Sequence, residues 1–118
     1  MKAIIITVGD EILIGQVIDT NSAWLGQRMN EIGVDIIEKI AVGDDNSQII
    51  ESISNAFSKA DLILMTGGLG PTKDDITKHA IAEYFNVGLT FSQQTYDRMV
   101  KMFERFNRPV TQSLKDQC

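Results

Sequence analysis

The chain has 118 residues, of which 43% are hydrophobic and 23% are charged, so we expect a soluble domain with a real core. Its formal charge of −5, from 11 basic and 16 acidic residues, offers no basic stripe to nucleic acid, which we exclude as a partner. Cys118 is the single cysteine, which excludes an internal disulfide and favours the cytoplasm. The apolar run after Lys2 is too short for a signal segment or a membrane span, so no membrane partner is expected.

The first part of the chain changes from a strand pattern to a helix pattern. A continuous β-branched run at residues 3–8 is bounded by Gly9 and is typical of a strand buried on both faces. Asp19 or Thr20 then caps a helix that Gly33 ends. The apolar stripe of this helix consists of Leu25, Met29 and Ile32.

The same alternation continues to the end of the chain. Residues 34–42 and 61–66 are the second and third strands, and residues 43–46 form a turn and cap between the second strand and the next helix. A short extended piece is expected at 87–91, Ser92 caps the fourth helix, and residues 107–118 are polar without periodicity. The apolar stripe of the second helix consists of Ile49, Ile53, Ala56, Phe57 and Ala60. The third helix runs from Asp74 onward, and its stripe consists of Ile76, Ala80, Ile81 and Tyr84. The stripe of the fourth helix consists of Tyr96, Met99, Val100, Phe103 and Phe106.

This alternation predicts an α/β fold with three αβα layers, a mostly parallel sheet ordered 2-1-3 and right-handed crossovers. A three-stranded sheet leaves an edge unpaired, and the polar end of the chain adds no further strand. We therefore expect residues 1–118 to form one domain that is incomplete at its C-terminal end. The open edge and the apolar fourth helix predict a homo-oligomer for the complete protein.

A glycine-rich turn after the third strand is the strongest functional signal. Residues 62–75 pass from an apolar strand into glycines, hydroxyls, one lysine and two carboxylates. Glycines let backbone N–H groups approach a ligand, and the N-terminus of a following helix favours an anion at the same place. We predict a phosphate site formed by Gly9, Thr66, Gly67, Gly68, Gly70, Thr72 and Lys73.

Acidic residues follow the same strand ends. In a sheet ordered 2-1-3, the carboxyl ends of all three strands open onto one edge, where ligands bind. Carboxylates there repel a bare phosphate, so we expect a phosphate ester that a divalent cation joins to them. The candidate metal ligands or water activators are Asp10, Glu11, Asp44, Asp74 and Asp75.

Simpler explanations of these residues stay open. The glycine run matches neither Walker A nor the dinucleotide fingerprint, and a merely tight turn is the alternative. Lys73 as a surface lysine, and His79 paired with Asp75 on a helix face, are the structural alternatives to ligand binding. Trp24 lies off its helix stripe, which predicts an exposed ring. Four aspartates are also good helix caps: Asp44, Asp45, Asp74 and Asp75.

Three spaced motifs together resemble the N-terminal domain of the competence/damage-inducible CinA family, which has the MoaB/MogA-like molybdopterin-binding fold. They occupy residues 9–21, 42–45 and 66–77 and span most of the chain. Three motifs in the right order are more specific than one glycine run. Leu69 stands where the MogA-like branch has threonine, which favours the CinA branch.

The resemblance implies a chemistry. Members of the wider fold bind molybdopterin and help transfer adenylate or metal to it, with acidic residues that match Asp44 and Asp75, our candidate catalytic residues. CinA-type domains resemble metal-dependent pyrophosphatases that convert ADP-ribose to AMP and ribose 5-phosphate, which implies Mg²⁺, Mn²⁺ or Co²⁺ as cofactor. Many also carry a separate C-terminal domain that deamidates nicotinamide mononucleotide, an activity we do not expect of these residues.

Three functions therefore compete. The first is metal-dependent hydrolysis of a nucleotide-like small molecule, with ADP-ribose as the leading substrate. The second is molybdopterin binding with adenylyl transfer. The third is a non-catalytic oligomerisation or regulatory module of the same fold, although a phospho-receiver is excluded because Thr66, not an aspartate, ends the third strand.

Overall fold

The computed structural model describes residues 1–70 and 76–118, apart from the side chain of Ser113. In chain order the elements are β1 (Lys2–Val8), α1 (Asp10–Leu13), α2 (Thr20–Glu31), β2 (Asp35–Val42), α3 (Asn46–Phe57), β3 (Leu62–Thr66), α4 (Thr77–Tyr84), α5 (Gln93–Arg105) and α6 (Gln112–Asp116).

The three strands form one parallel sheet in the order β2-β1-β3, as the sequence predicts. Ile6 at the centre of β1 lies beside Ile40 of β2 and Met65 of β3. Among the described residues no strand pairs with the outer edge of β3. Both crossovers return through helices, so the carboxyl ends of all three strands lie at one edge of the sheet.

The central strand β1 is buried on both faces, which explains its unbroken β-branched run. Ile4, Ile6 and Val8 belong to a core cluster to which α3 contributes Ile49 and Ile53. The alternate residues of β1 point to the opposite face, where α2 contacts β1 and β2. Full burial of each isoleucine side chain contributes about 1.5–3 kcal/mol to folding. The helices on the two faces give the predicted αβα layers.

Side-chain caps start three of the predicted helices. Asp19 accepts a hydrogen bond of 3.1 Å from the Ser22 amide at the start of α2, and Asp45 accepts one of 3.1 Å from the Gln48 amide at the start of α3. Ser92 caps α5 as predicted. Each cap satisfies a backbone donor that has no partner within its helix.

Several details differ from the sequence prediction. Ile32 and Phe106 were placed on buried stripes but are 69% and 65% exposed, because each lies at the C-terminal cap of its helix, beyond the last packed turn. Phe57 is also exposed, although its ring lies near Tyr84 and Phe85. The short helices α1 and α6 were not predicted, since four or five residues are too few to show a helical period.

The part of the chain that the structure describes contains no helix long and apolar enough to cross a membrane.

A substitution at Gly67, directly after β3, would test how tightly the ends of the strands pack. Its φ is +89°, and a Cβ there would collide with the Val8 carbonyl oxygen, whereas Gly33 has a φ of +81° with open space around it. We expect Gly33→Ala to lower the free energy of unfolding by about 1–2 kcal/mol through backbone strain alone. Gly67→Ala should lower it at least twice as much, measured by urea unfolding. Equal losses would contradict this packing.

Candidate functional site

The loops that follow the three strands are joined at the carboxyl edge of the sheet. The Gly9 amide donates a hydrogen bond of 2.9 Å to the Val42 carbonyl, which ties the end of β1 to the end of β2. On the other side, the Thr77 hydroxyl donates to the Gly67 carbonyl at 2.8 Å. The Thr77 amide also donates to the Gly68 carbonyl at 3.1 Å, so the start of α4 is fastened to the glycine-rich turn.

Asp10 and Asp44 hold one another in a reciprocal arrangement. The Asp44 amide donates to Oδ1 of Asp10 at 3.0 Å, and the Asp10 amide donates to Oδ2 of Asp44 at 3.3 Å. The two residues are 34 positions apart and come from different loops. The structure therefore brings together two of the predicted carboxylates and fixes each through a backbone donor.

Two glycines make room for acidic side chains, one for Asp10 of this pair and one for Glu11. A Cβ at Gly43 would lie 2.5 Å from Oδ1 of Asp10, and a Cβ at Gly9 would lie 2.6 Å from Oε1 of Glu11. Both distances are shorter than side chains tolerate, so larger residues would displace the carboxylates. The glycines at the ends of β1 and β2 are thus explained by close approach as well as by turn geometry.

Glu11 lies elsewhere, although it follows Asp10 in sequence. Glu11 lines a cavity of about 210 Å³ at the ends of β1 and β3, beside the start of α2. Asp19, Thr7 and Asn21 line the same cavity. The single turn of α1 therefore sends neighbouring acidic residues to two different subsites, which the sequence did not predict.

Asp19 is both a helix cap and a wall of this cavity. Its Oδ2 accepts a hydrogen bond of 2.8 Å from the hydroxyl of Thr7, which is 4% exposed. Burial raises the pKa of the Asp19 carboxyl, but the hydrogen bonds from Ser22 and Thr7 outweigh burial, and the pKa lies below its ordinary value. Asp19 is therefore a carboxylate at neutral pH.

The glycine-rich turn is only partly described. Gly67 and Gly68 both have positive φ, of +89° and +63°, as a strand-to-helix turn of this tightness requires. Thr66 accepts a hydrogen bond of 3.4 Å from the Asn21 side-chain amide. Four predicted site residues lie outside the described residues, and their roles stay predictions: Thr72, Lys73, Asp74 and Asp75.

The predicted metal site is not complete in the part of the chain that the structure describes. No group of three metal-ligating side chains occurs there. Asp10 and Asp44 nevertheless fit a hard cation, because Mg²⁺ is commonly held by one or two carboxylates together with water and substrate phosphate. The metal assignment therefore stays a prediction.

The structure supports the simpler structural explanations for some of these residues and not for others. Asp45 caps α3, as proposed for the pair Asp44 and Asp45, whereas the Asp44 carboxylate accepts from the amide of Asp10. Trp24 is 57% exposed, with the Arg28 guanidinium 5.4 Å from its ring centroid. His79 is exposed, and its expected partner Asp75 is outside the described residues.

Sequence reasoning missed Thr7, Asp19 and Asn21 as site residues. Two signals were available: Thr7 is the one hydroxyl in the otherwise aliphatic run of residues 3–8, and Asp19, Thr20 and Asn21 form a polar group inside the first motif. Local reasoning assigned Asp19 to the cap of α2, which is correct but incomplete.

A comparison with known protein families identifies the fold. A family model described as "Probable molybdopterin binding domain" matches residues 4–114 of the chain. The chain belongs to this family. A CinA-like protein from Flavobacterium psychrophilum is 47% identical over an aligned stretch of 119 positions that covers 100% of this chain and 28% of that protein. This domain thus spans about 28% of that relative's length, and its resemblance to CinA proteins is confirmed.

Solved structures agree with this assignment. The crystal structure of CinA from Thermoplasma acidophilum, a protein described as having unknown function, has a TM-score of 0.79 at 29% identity and covers 97% of this chain and 66% of that one. MoaB from Pyrococcus furiosus, described as a tungsten cofactor synthesizing protein, has a TM-score of 0.67 at 28% identity, covering 88% of this chain and 63% of that one.

The bond between Thr7 and Asp19 predicts a pH-dependent stability in this molybdopterin-binding domain. A carboxyl with a lowered pKa stabilises the fold above its unfolded pKa, and this stabilisation is lost as the pH falls through the folded pKa. We expect Thr7→Val to lower the free energy of unfolding at neutral pH by about 1.5–3 kcal/mol, the usual contribution of a hydrogen bond to a charged group.

The loss in Thr7→Val should shrink in acid as Asp19 becomes protonated. Thr7→Ser is the matched control, because it keeps the hydroxyl and loses only a methyl group, so its effect should not change with pH. Urea unfolding across the acidic range measures both variants. Parallel pH curves for the two would contradict the proposed role of this hydrogen bond.

Proposed function

We propose that the domain is a metal-dependent pyrophosphatase that hydrolyses ADP-ribose to AMP and ribose 5-phosphate. The observation that carries this proposal is the reciprocal pair of Asp10 and Asp44 at the carboxyl edge of the sheet, where the glycine-rich turn also begins. Two carboxylates held by backbone donors are pre-organised, which spares the reorganisation that mobile side chains would require. The resemblance of the chain as a whole to CinA-type domains supports ADP-ribose as substrate.

Each part of the site has a role in this proposal. The amides of Gly67 and Gly68 would donate hydrogen bonds to a phosphate oxygen. Asp44 would accept the proton of the attacking water as that water's oxygen bonds to phosphorus and the P–O bond to the bridging oxygen breaks. The bridging oxygen leaves with the other phosphate, which gives two phosphate monoesters.

Asp10 would hold the divalent cation together with Asp44, and Asp74 and Asp75 in their predicted roles would complete this set, whereas Glu11 lines the separate cavity. When bound, the cation would lower the pKa of the attacking water and offset charge on the leaving phosphate. The backbone contacts of Asp10 and Asp44 hold both carboxylates in place without help from the substrate.

The test is production of AMP from ADP-ribose with Mg²⁺, Mn²⁺ or Co²⁺. Asp44→Asn and Asp10→Asn each keep an oxygen that can accept the partner's backbone hydrogen bond but remove the negative charge. We expect each to lower kcat/KM at least about 100-fold, the usual scale for loss of a general base or of a charged ligand. Asp45→Asn is the matched control, because asparagine caps a helix as well as aspartate does and activity should stay within about twofold.

Two outcomes would contradict the proposal. The first is absence of AMP with every metal while the longer protein turns over ADP-ribose. The second is unchanged metal and nucleotide binding when Asp44→Ala is combined with Asp75→Ala, which would favour the non-catalytic module.

Molybdopterin binding with adenylyl transfer is the second candidate, because the family model carries that description. The glycine-rich turn and the carboxylates at the same edge of the sheet would suit the phosphate of a pterin for the same electrostatic reasons. Anaerobic titration with molybdopterin separates the two functions. Tight binding of molybdopterin without hydrolysis of ADP-ribose would favour molybdopterin binding as the function. Absence of molybdopterin binding would exclude it.

A further inference from the structure

The cavity beside Asp19 is distinct from the pair of Asp10 and Asp44. It has a volume of about 210 Å³, and it opens between α1, the start of α2, and the ends of β1 and β3. A space of this size accommodates one monosaccharide-sized group but not a whole dinucleotide. Gly67 of the predicted phosphate site borders it, so a phosphate at the glycine-rich turn would have its neighbouring group at this cavity.

One wall of the cavity accepts hydrogen bonds. Oδ1 of Asp19 receives the Ser22 amide at 3.1 Å and Oδ2 receives the Thr7 hydroxyl at 2.8 Å, so both oxygens are held in place. A carboxylate oxygen accepts two hydrogen bonds, so Oδ2 can accept a second one beside that of the Thr7 hydroxyl. Beside them, the Asn21 amide is positioned by its bond of 3.4 Å to Thr66.

Another part of the lining is aliphatic. Ile12, Val17 and Val8 contribute to it, and none of the described residues that line the cavity is aromatic. Planar bases and pterins are usually held by stacking on aromatic side chains, which this wall does not provide. A saturated sugar ring suits it better, since its hydroxyls lie along one edge and its C–H groups pack against aliphatic carbon.

We propose that this cavity binds the ribose of a ribose 5-phosphate unit, with the sugar hydroxyls donating to Asp19 and the Asn21 amide contacting a ribose oxygen. The proposal rests on the proposed function, because it assigns one part of the ADP-ribose substrate to this cavity. In dinucleotide-binding folds an acidic side chain recognises ribose hydroxyls in the same chemical manner. The lowered pKa of Asp19 keeps the acceptor charged at neutral pH.

The test compares two probes that differ by one hydroxyl, ribose 5-phosphate and 2-deoxyribose 5-phosphate, by calorimetry on the intact chain. We expect ribose 5-phosphate to bind at least about tenfold more tightly, because its 2-hydroxyl hydrogen-bonds to a charged acceptor. Asp19→Asn should reduce this preference to about twofold or less, since the acceptor charge is lost while the helix cap is kept.

Two matched controls separate recognition from folding. The first control, Asp45→Asn, changes the other aspartate that caps a long helix, away from the cavity, and should keep the full preference for ribose 5-phosphate.

Asn21→Ala is a second test variant. It alters an exposed residue of α2 and should weaken ribose 5-phosphate binding at least threefold. Asn30→Ala, an exposed asparagine on the same helix that does not line this cavity, should leave it unchanged. Asn21→Ala keeps the test decisive if Asp19→Asn fails to fold.

The outcomes distinguish this proposal from the proposed function. A ribose preference that Asp19→Asn removes, without hydrolysis of ADP-ribose, supports the sugar subsite and overturns the pyrophosphatase. Hydrolysis with equal affinity for the two sugar phosphates, or with no ribose 5-phosphate binding at millimolar concentration, overturns the sugar subsite alone. Molybdopterin binding that Asp19→Asn abolishes, in a chain without ribose preference, would assign the cavity to a pterin instead.

Discussion

The end of β1 is the constraint on which the rest of the site depends. Its neighbours approach so closely that the residue after β3 has no room for a Cβ beside the Val8 carbonyl. Across the strand, the Gly9 amide bonds to Val42 and draws the second loop against the first. Because β1 is buried on both faces, it cannot shift to relieve this crowding. The fixed backbone at this strand end therefore determines the Cα positions from which the loop side chains extend.

This crowding separates two polar subsites on either side of one strand end. Toward β2, Asp10 and Asp44 bind one another's backbone amides. Toward α2, Thr7 and Asp19 border a cavity that also reaches Gly67. A ligand that spans the glycine-rich turn would therefore meet a carboxylate pair on one side and a hydroxyl-lined cavity on the other. Pre-organisation of both subsites by the backbone limits the entropy lost when such a ligand binds.

The sequence predicts the layers, the strand order and most helices because these follow from periods that run for many residues. Where the pattern is short, prediction fails, as for the one-turn helix α1. Ile32 fails for another reason, since a helix stripe continues in sequence past the point where the sheet stops covering it. The meeting of Asp10 and Asp44 followed from the parallel topology, whereas the divergence of Glu11 needed the actual direction of the α1 turn.

Asp19 and Asp45 show why local sequence cannot identify every site residue. Both cap a long helix by the same bond to the third residue of its first turn, at 3.1 Å in each case. Only Asp19 lies against a buried threonine and a cavity. The difference arises because Thr7 sits on the face of β1 that α2 covers, and that face depends on whether a residue is odd or even in the strand. A register shift of one residue would point Thr7 into the aliphatic core and leave Asp19 as a simple cap, so strand register determines which aspartate borders the cavity beside a buried hydroxyl.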